Sequence, residues 1–208
     1  MDFQKSYPYI IFISVAVTLV LVVFPAFLTN FGLNASWQDV LFLKADLGSP
    51  NLSLENTYLI NHEWWRLITP VFLHFSITHL AFNCLWIYIL GSRIEGLDGK
   101  AIFLLIFLIS GIASNAGEFI WTGQYFFGGL SGSVYGLLGY CFIMELDQKM
   151  SRYDLPIALY LFMLIWLLIG FTGILSFFGF GNIANTAHLV GMMAGFILGL
   201  IAKYGFKI

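Results

Sequence analysis

The stretch GGLSGSVYGLLGY, from Gly128 to Tyr140, places five glycines and two serines in the middle of a strongly apolar chain. Apolar runs of roughly 20 residues, the length needed to cross a bilayer, lie on both sides of it. In such surroundings the glycines indicate close helix packing, and the glycine-flanked Ser131 is a candidate reactive group.

The composition is that of a polytopic membrane protein. Of the 208 residues, 60% are hydrophobic and 10% are charged, against about 25% charged in soluble domains. The chain has no basic patch, so no nucleic-acid partner is expected, and its surroundings are the lipid bilayer. Cys84 and Cys141 lie in apolar runs and are expected to pack as small hydrophobic side chains.

Hydropathy predicts an all-α fold of six transmembrane helices in a single domain over residues 1–208, without a separate soluble domain or a cleavable signal peptide. A long loop over 30–69 contains Trp37, Trp64 and Trp65 and is expected to fold at the membrane interface; a solvated loop is the alternative. The six predicted spans are residues 8–29, 70–91, 101–122, 129–146, 155–178 and 184–203.

Lysine and arginine indicate the orientation. With the amino terminus in the cytoplasm, seven of the nine lie in cytoplasmic segments, and only Lys44 and Arg66 lie outside. Both termini are then cytoplasmic, and the second, fourth and sixth spans run inward. Helix rise places His79, Ser131 and His188 on these spans at one depth, roughly 21–23 Å above the cytoplasmic edge of a core about 30 Å thick.

Small residues repeat every four positions on the fourth and sixth spans, which lets two helix backbones approach closely in lipid. A close crossing of these spans brings the Ser131 hydroxyl near the His188 ring. The alternative is that the glycines only pack helices and the serine bonds its own backbone. The small residues are Gly132 and Gly136 on the fourth span, and Ala187, Gly191, Gly195 and Gly199 on the sixth.

A serine becomes a nucleophile when a base takes its proton, and neutral histidine is the usual base. Ser131 and His188 fit these roles as a dyad, because no Asp or Glu is predicted at their depth. Glu118 is expected nearer the outer edge of the membrane. Tyr135, one turn below Ser131, either stacks on and orients the imidazole or is ordinary core packing.

His79 and Asn83 share one face of the second span, so their N–H groups, with the Ser131 backbone N–H, can stabilise an oxyanion; a structural hydrogen-bonded pair is the alternative. His74 is expected to be structural, bonding within the first loop. A metal site of His74, His79 and His188 matches no ligand signature, so no metal and no cofactor are expected. A channel or transporter is a further alternative, with a polar pathway of His79, Asn83, Glu118 and His188. Transporters often have repeated halves, and the sequence shows no repeat between its two halves.

Four motifs in this order resemble the rhomboid intramembrane serine proteases and, within them, the compact six-span bacterial GlpG type. The resemblance covers about residues 60–203. The motifs are Trp65-Arg66 in the first loop, HFSITHLAFN with His74, His79 and Asn83, G-x-S-G over Gly129–Gly132, and A-H-x-x-G-x-x-x-G over Ala187–Gly195.

The resemblance implies an endopeptidase that hydrolyses peptide bonds in or near the transmembrane segment of single-span or polytopic membrane proteins. Ser131 would be the nucleophile, His188 the general base, and His79 with Asn83 the oxyanion hole, with Tyr135 packed on His188. A bacterial cytoplasmic membrane is the implied location.

Supporting roles are implied for further residues. Arg66 would fix a half-submerged first loop by hydrogen bonds, and Glu95 would be a structural carboxylate. Phe82 and Trp166 would gate substrate entry between the second and fifth spans, and Gly129 and Gly132 belong to the serine motif.

The chain departs from the family pattern in three places. The soluble N-terminal domain of several GlpG-type members is not expected in this chain. The segment ILSFFGFGN before His188 is longer than in some relatives, and its Phe177, Phe178 and Phe180 are expected to form an apolar cap. Ser133 stands where small apolar residues are usual, and no catalytic role is expected for it. An inactive, client-binding relative is the main alternative, although such relatives usually lack the serine or the histidine.

Overall fold

The computed structural model describes residues 13–31, 33, 55–146, 152–175 and 183–206, and these residues form helices and no strands. Trp37 and the expected cap residues Phe177, Phe178 and Phe180 lie outside the described residues. Six long helical segments follow one another, as hydropathy predicts. They are Ile13–Leu28 (α1), the consecutive Ile77–Trp86, Ile87–Gly91 and Ser92–Asp98 (together α2), Lys100–Thr122 (α3), Ser131–Glu145 (α4), Ile157–Gly170 (α5), and Asn185–Leu200 (α6), which continues into wider π-helical turns over Ile201–Phe206.

Helix α4 is the centre of the bundle. Every residue from Gly132 to Cys141 is buried, and the helix packs most extensively against α6 and next against α3. A Cβ on Gly191 or Gly195 of α6 would run into the backbone carbonyl of Gly132 or Gly136 on α4. The predicted close crossing of the fourth and sixth spans is therefore confirmed.

Apolar side chains are exposed along much of α1 and α5, as expected for surfaces that face lipid. Length and composition allow two helical segments to cross a membrane, Lys100–Thr122 and Asn185–Gly205. Two further apolar helices are shorter, Ser14–Leu28 and Ile157–Gly170.

The expected bounds of the second span are wrong. Pro70 lies in a short 3₁₀ turn, Thr69–Phe72, and α2 begins only at Ile77. Ser76 caps α2, because its hydroxyl accepts a hydrogen bond from the His79 N–H at 3.1 Å. The helix then continues to Asp98, well past the expected end at residue 91.

The fifth helix is shorter than expected. It ends at Gly170 instead of residue 178, and a turn with Gly173 at φ 75° follows. The Gly170 carbonyl accepts from the Gly173 N–H at 3.2 Å and from the Asn185 amide at 2.8 Å. The start of α6 is therefore hydrogen-bonded to the end of α5.

Candidate active site

Ser131 begins α4 at the end of an irregular segment, residues 123–130, that follows α3. This segment is tied to the first loop, because the Gly129 N–H donates to the Pro70 carbonyl at 3.0 Å. Gly129 has φ 123°, and a Cβ at this position would lie 2.6 Å from the His79 ring. A glycine is therefore needed where the chain enters the bundle beside Ser131.

The Ser131 hydroxyl and the His188 imidazole are hydrogen-bonded, with 2.6 Å between Oγ and Nε2. His188 lies in the first turn of α6 and is 5% exposed. With Nε2 unprotonated the hydroxyl donates, and this is the arrangement in which a histidine can take the proton of a serine. The structure thus brings together the two residues expected to form a dyad.

Tyr135 packs directly on His188. The ring centroids are 4.8 Å apart and the ring planes meet at 25°. The Tyr135 hydroxyl donates to the Met163 carbonyl at 2.9 Å, so the phenol is held at both ends. Of the two expectations for Tyr135, the structure shows the stacked one, and this stacking restricts rotation of the imidazole.

No described carboxylate forms a hydrogen bond with the His188 ring. Glu118 of α3 reaches the same helix, but its carboxylate accepts from the Ala187 N–H at 2.9 Å. Within the described residues, the serine and the histidine are therefore a pair without an acidic third member.

His79 and Asn83 lie together on α2 and line one cavity with Ser131 and His188. The Asn83 amide nitrogen lies 3.0 Å from Nε2 of His74, and these two side chains are almost completely buried. His74 lies in the first loop, as expected, and its ring also reaches Asn83 of α2. The extended backbone between the 3₁₀ turn and α2 carries its ring to Asn83, because α2 starts later than hydropathy predicts.

The cavity is small, with a volume of about 20 Å³, and lies between α2, α4, α5 and α6. Polar and aromatic side chains both line it, so a peptide carbonyl held here would meet a hydroxyl, an imidazole and an amide together. The polar residues are His79, Asn83, Ser131 and His188, and the aromatic ones are Phe82, Trp86, Tyr135 and Trp166.

Aromatic rings join α2 to α5 beside this cavity. Phe82 and Trp166 stack with ring centroids 4.9 Å apart and planes at 23°. Trp86 and Phe162 extend the group, at 5.8 Å from Phe82 and 5.6 Å from Trp166 respectively. The two residues expected to form a gate are therefore in contact.

Arg66 is buried in the described part of the first loop and donates through Nε to Glu63 at 2.6 Å. Burial raises the pKa of the nearby Tyr58 phenol to about 12, against the opposing attraction of Arg66. The Asn115 amide donates to the Leu67 carbonyl at 2.8 Å and fastens the loop to α3. Arg66 thus makes the kind of loop contact that the resemblance implies.

Three participants in this site were not expected from the sequence: Trp86, the Met163 carbonyl and the Glu118 carboxylate as a helix cap. Trp86 follows Phe82 by four residues, and this spacing on one helix face was a usable signal. Nothing in a sequence marks a backbone acceptor such as the Met163 carbonyl. Among the described residues, no group of three His, Cys, Asp or Glu side chains is placed to hold a metal ion.

Comparison with known proteins places these features in one family. The family model "Rhomboid domain" matches residues 61–205. The chain is 34% identical over 140 residues to Rhomboid protease GlpG of Pectobacterium atrosepticum, covering 67% of this chain and 49% of that protein. It is 34% identical over 142 residues to Rhomboid protease GluP of Bacillus subtilis, covering 68% of this chain and 27% of that protein. It is 35% identical over 134 residues to Rhomboid protease GlpG of Yersinia pestis, covering 64% of this chain and 46% of that protein. The chain thus spans about half or less of the length of these curated relatives.

Proposed function

This chain belongs to the rhomboid family, and we propose that it is an intramembrane serine endopeptidase that hydrolyses peptide bonds in or near the transmembrane segment of membrane-protein substrates. The observation that carries this proposal is the 2.6 Å hydrogen bond between Ser131 Oγ and His188 Nε2. A serine paired with a neutral histidine suits acyl transfer. Rhomboid proteins are integral membrane proteins, and the apolar helices of this chain agree with that.

In the proposed reaction, His188 takes the hydroxyl proton as Ser131 Oγ attacks the scissile carbonyl carbon. The tetrahedral intermediate collapses when the C–N bond breaks, and His188 gives its proton to the leaving amine. Water then attacks the acyl ester with His188 again as the base, which releases the carboxylic acid and restores the serine. Stacking on Tyr135 favours one imidazole orientation through both steps.

We assign the oxyanion hole to His79, Asn83 and the first N–H groups of α4. Ser131 is the first residue of α4, and the first turn of a helix has N–H groups without intrahelical partners at the positive end of its dipole. Asn83 has a second amide N–H beyond the one that faces His74. One donor of this kind accounts for about 10²–10³ in kcat in other acyl-transfer enzymes.

Substrates are proposed to enter between α2 and α5, where Phe82 and Trp166 close one side of the cavity. A transmembrane helix has to unwind locally before a peptide bond reaches Ser131. Spans rich in weak helix formers are therefore the favoured substrates.

A bacterial cytoplasmic membrane with both termini in the cytoplasm is the proposed location. Arg93, Arg152 and Lys203 contact groups at the end of α4 opposite Ser131, which is the cation distribution of a cytoplasmic face. A fluorescent protein fused to the carboxyl terminus should be bright and alkaline phosphatase fused there inactive; the reverse pattern would overturn this orientation.

The test of activity uses purified protein in liposomes with a single-span substrate. We expect cleavage near the outer membrane edge, and loss of cleavage in Ser131→Ala and in His188→Ala. Ser133→Ala is the matched control, because this buried serine donates to the Phe107 carbonyl at 2.9 Å and not to His188. His62→Asn is the histidine control, at an exposed position with φ 56° that asparagine tolerates.

Two results would contradict the proposal. Folded protein that binds several helix-weak substrates and cleaves none would be a client-binding relative. Cleavage that survives Ser131→Ala would mean that another group is the nucleophile.

A further inference from the structure

The Glu118 carboxylate lies against the first turn of the helix that carries His188. It is 6% exposed, and Oε2 accepts from the Ala187 N–H at 2.9 Å. Thr186, the residue before Ala187, also lies close to this carboxylate. One acidic side chain on α3 therefore accepts a backbone N–H of the first turn of α6, immediately before His188.

The Ala187 N–H lies in the first turn of α6, where a backbone N–H has no acceptor within its own helix. The first N–H groups of a helix lack intrahelical acceptors, and they are usually met by the side chain of the capping residue. The capping residue of α6 is Ala184, which has no polar side chain. Glu118 supplies the cap from a neighbouring helix, and its negative charge suits the positive end of the α6 dipole.

The seam between α3 and α6 leaves little room for movement around this cap. A Cβ on Gly117 would lie 2.7 Å from Val190 Cγ2, so the two helices are in close contact beside Glu118. The cap thus fixes the first turn of α6 relative to α3 at a point where the two helices already touch. The imidazole of His188 extends from that turn.

We propose that Glu118 is a positioning residue, which caps the first turn of α6 and thereby holds the His188 imidazole at hydrogen-bonding distance from Ser131. This rests on the proposed function. Glu118 does not hydrogen-bond the imidazole, so its role differs from that of a triad carboxylate. The distinction has a measurable consequence, because a cap requires an acceptor oxygen whereas a triad partner requires a negative charge.

The test compares Glu118→Ala with Glu118→Gln in liposomes. Glutamine keeps an acceptor oxygen for Ala187, and the Thr186 hydroxyl can accept from its amide. Glu95 provides matched controls as Glu95→Ala and Glu95→Gln, because its carboxylate accepts from the Ser14 and Val15 N–H groups at 3.1 and 3.0 Å on α1. The readouts are kcat and KM for a single-span substrate, the rate of fluorophosphonate labelling of Ser131, and amide hydrogen exchange in the first turn of α6.

We expect Glu118→Ala to lower kcat and the labelling rate by roughly 10- to 100-fold with KM within about twofold, because small misplacements of a reacting group have effects of this size. Glu118→Gln should stay within about threefold of the parent. Exchange at Thr186 and Ala187 should rise in Glu118→Ala and remain unchanged in both Glu95 variants, which should keep their kcat.

Several results would overturn the inference. They are an unchanged kcat in folded Glu118→Ala, equal losses in the Gln and Ala variants, or an equal loss of kcat in Glu95→Ala. If the folded parent protein neither cleaves nor labels, the proposed function fails on its own, and unchanged exchange at Thr186 and Ala187 would then separately refute the cap.

Discussion

At the scale of single residues, the Asn83 amide shows how a buried polar group is oriented. An amide nitrogen only donates, so Nε2 of His74 is the acceptor in their 3.0 Å contact. This contact leaves the second N–H of Asn83 for the cavity that it shares with Ser131. His74 therefore orients a donor of the proposed oxyanion hole without itself lining the cavity.

Replacing His74 by leucine removes the acceptor while keeping a buried side chain of moderate size. We expect kcat to fall by roughly tenfold or more with KM nearly unchanged, because a misdirected donor weakens transition-state binding only. The measurement is steady-state cleavage of a single-span substrate, with His62→Asn as the control. A parental kcat in folded His74→Leu would show that Asn83 needs no such partner.

At the scale of helices, backbone contact between α4 and α6 sets the distance between Ser131 and His188. Gly191 faces the Gly132 carbonyl, next to the serine, with no room for a side chain. A backbone carbonyl cannot rotate away as a side chain can, so a methyl group at Gly191 would force α6 to shift away from α4.

Gly191→Ala should therefore abolish most fluorophosphonate labelling of Ser131 and reduce stability by about 1–3 kcal/mol or more, as overpacking does. Gly205→Ala is the matched control, because a Cβ there meets only Ile201 Cγ2 at 3.9 Å. Labelling and thermal unfolding in detergent micelles are measured together. Normal labelling of Gly191→Ala would mean that α4 and α6 can separate by the width of a methyl group without displacing Ser131 from His188.

The ring contacts between α2 and α5 predict a different effect. Phe82→Ala removes the stack on Trp166, a contact worth on the order of 1 kcal/mol. Helix α5 should then separate from α2 more readily, and cleavage of a transmembrane substrate should rise severalfold. Phe142→Ala is the control, because this α4 ring packs on Tyr160 of α5 away from the cavity. An unchanged or lower cleavage rate for Phe82→Ala, with Phe142→Ala at the parental rate, would contradict the proposed substrate entry between α2 and α5.

Hydropathy predicts α3 and α4 to within two residues, because apolar residues and glycines predominate in both. It misplaces the start of α2, because apolar side chains around Pro70 belong to a loop packed inside the bundle. The pairing of Ser131 with His188 follows from the glycine stripes beside them. The hydrogen-bond partners of Asn83 and Glu118 cannot be predicted from the sequence, because they depend on side-chain rotamers and on the extended backbone before α2.

At the scale of the whole molecule, the end of the bundle opposite Ser131 is held by buried polar contacts. Asp98 accepts from the Tyr140 and Tyr153 hydroxyls at 3.2 and 2.5 Å and pairs with Arg152. Glu145 accepts from the Tyr153 N–H at 2.9 Å. These charged and phenolic contacts lie away from Ser131 and His188, so they stabilise the bundle without touching the site.

Asp98→Asn should therefore reduce stability by about 1–3 kcal/mol through loss of a charged acceptor, while kcat per folded molecule stays within about twofold. Asp154→Asn is the control, an exposed carboxylate at φ 52° that asparagine tolerates. Denaturant unfolding and cleavage are measured on the same samples. A large fall in kcat for Asp98→Asn would show that the two ends are coupled.

Ser131 and His188 lie 57 positions apart along the chain, on the fourth and sixth helices. A ribosome adding about 5–20 residues per second needs roughly 3–11 seconds to pass from one to the other. During that interval the nascent chain carries a serine in the membrane without its base. Chains stopped before Asn185 should accordingly take no fluorophosphonate, and under the proposed function the translocation machinery handles a chain that cannot yet cleave neighbouring proteins.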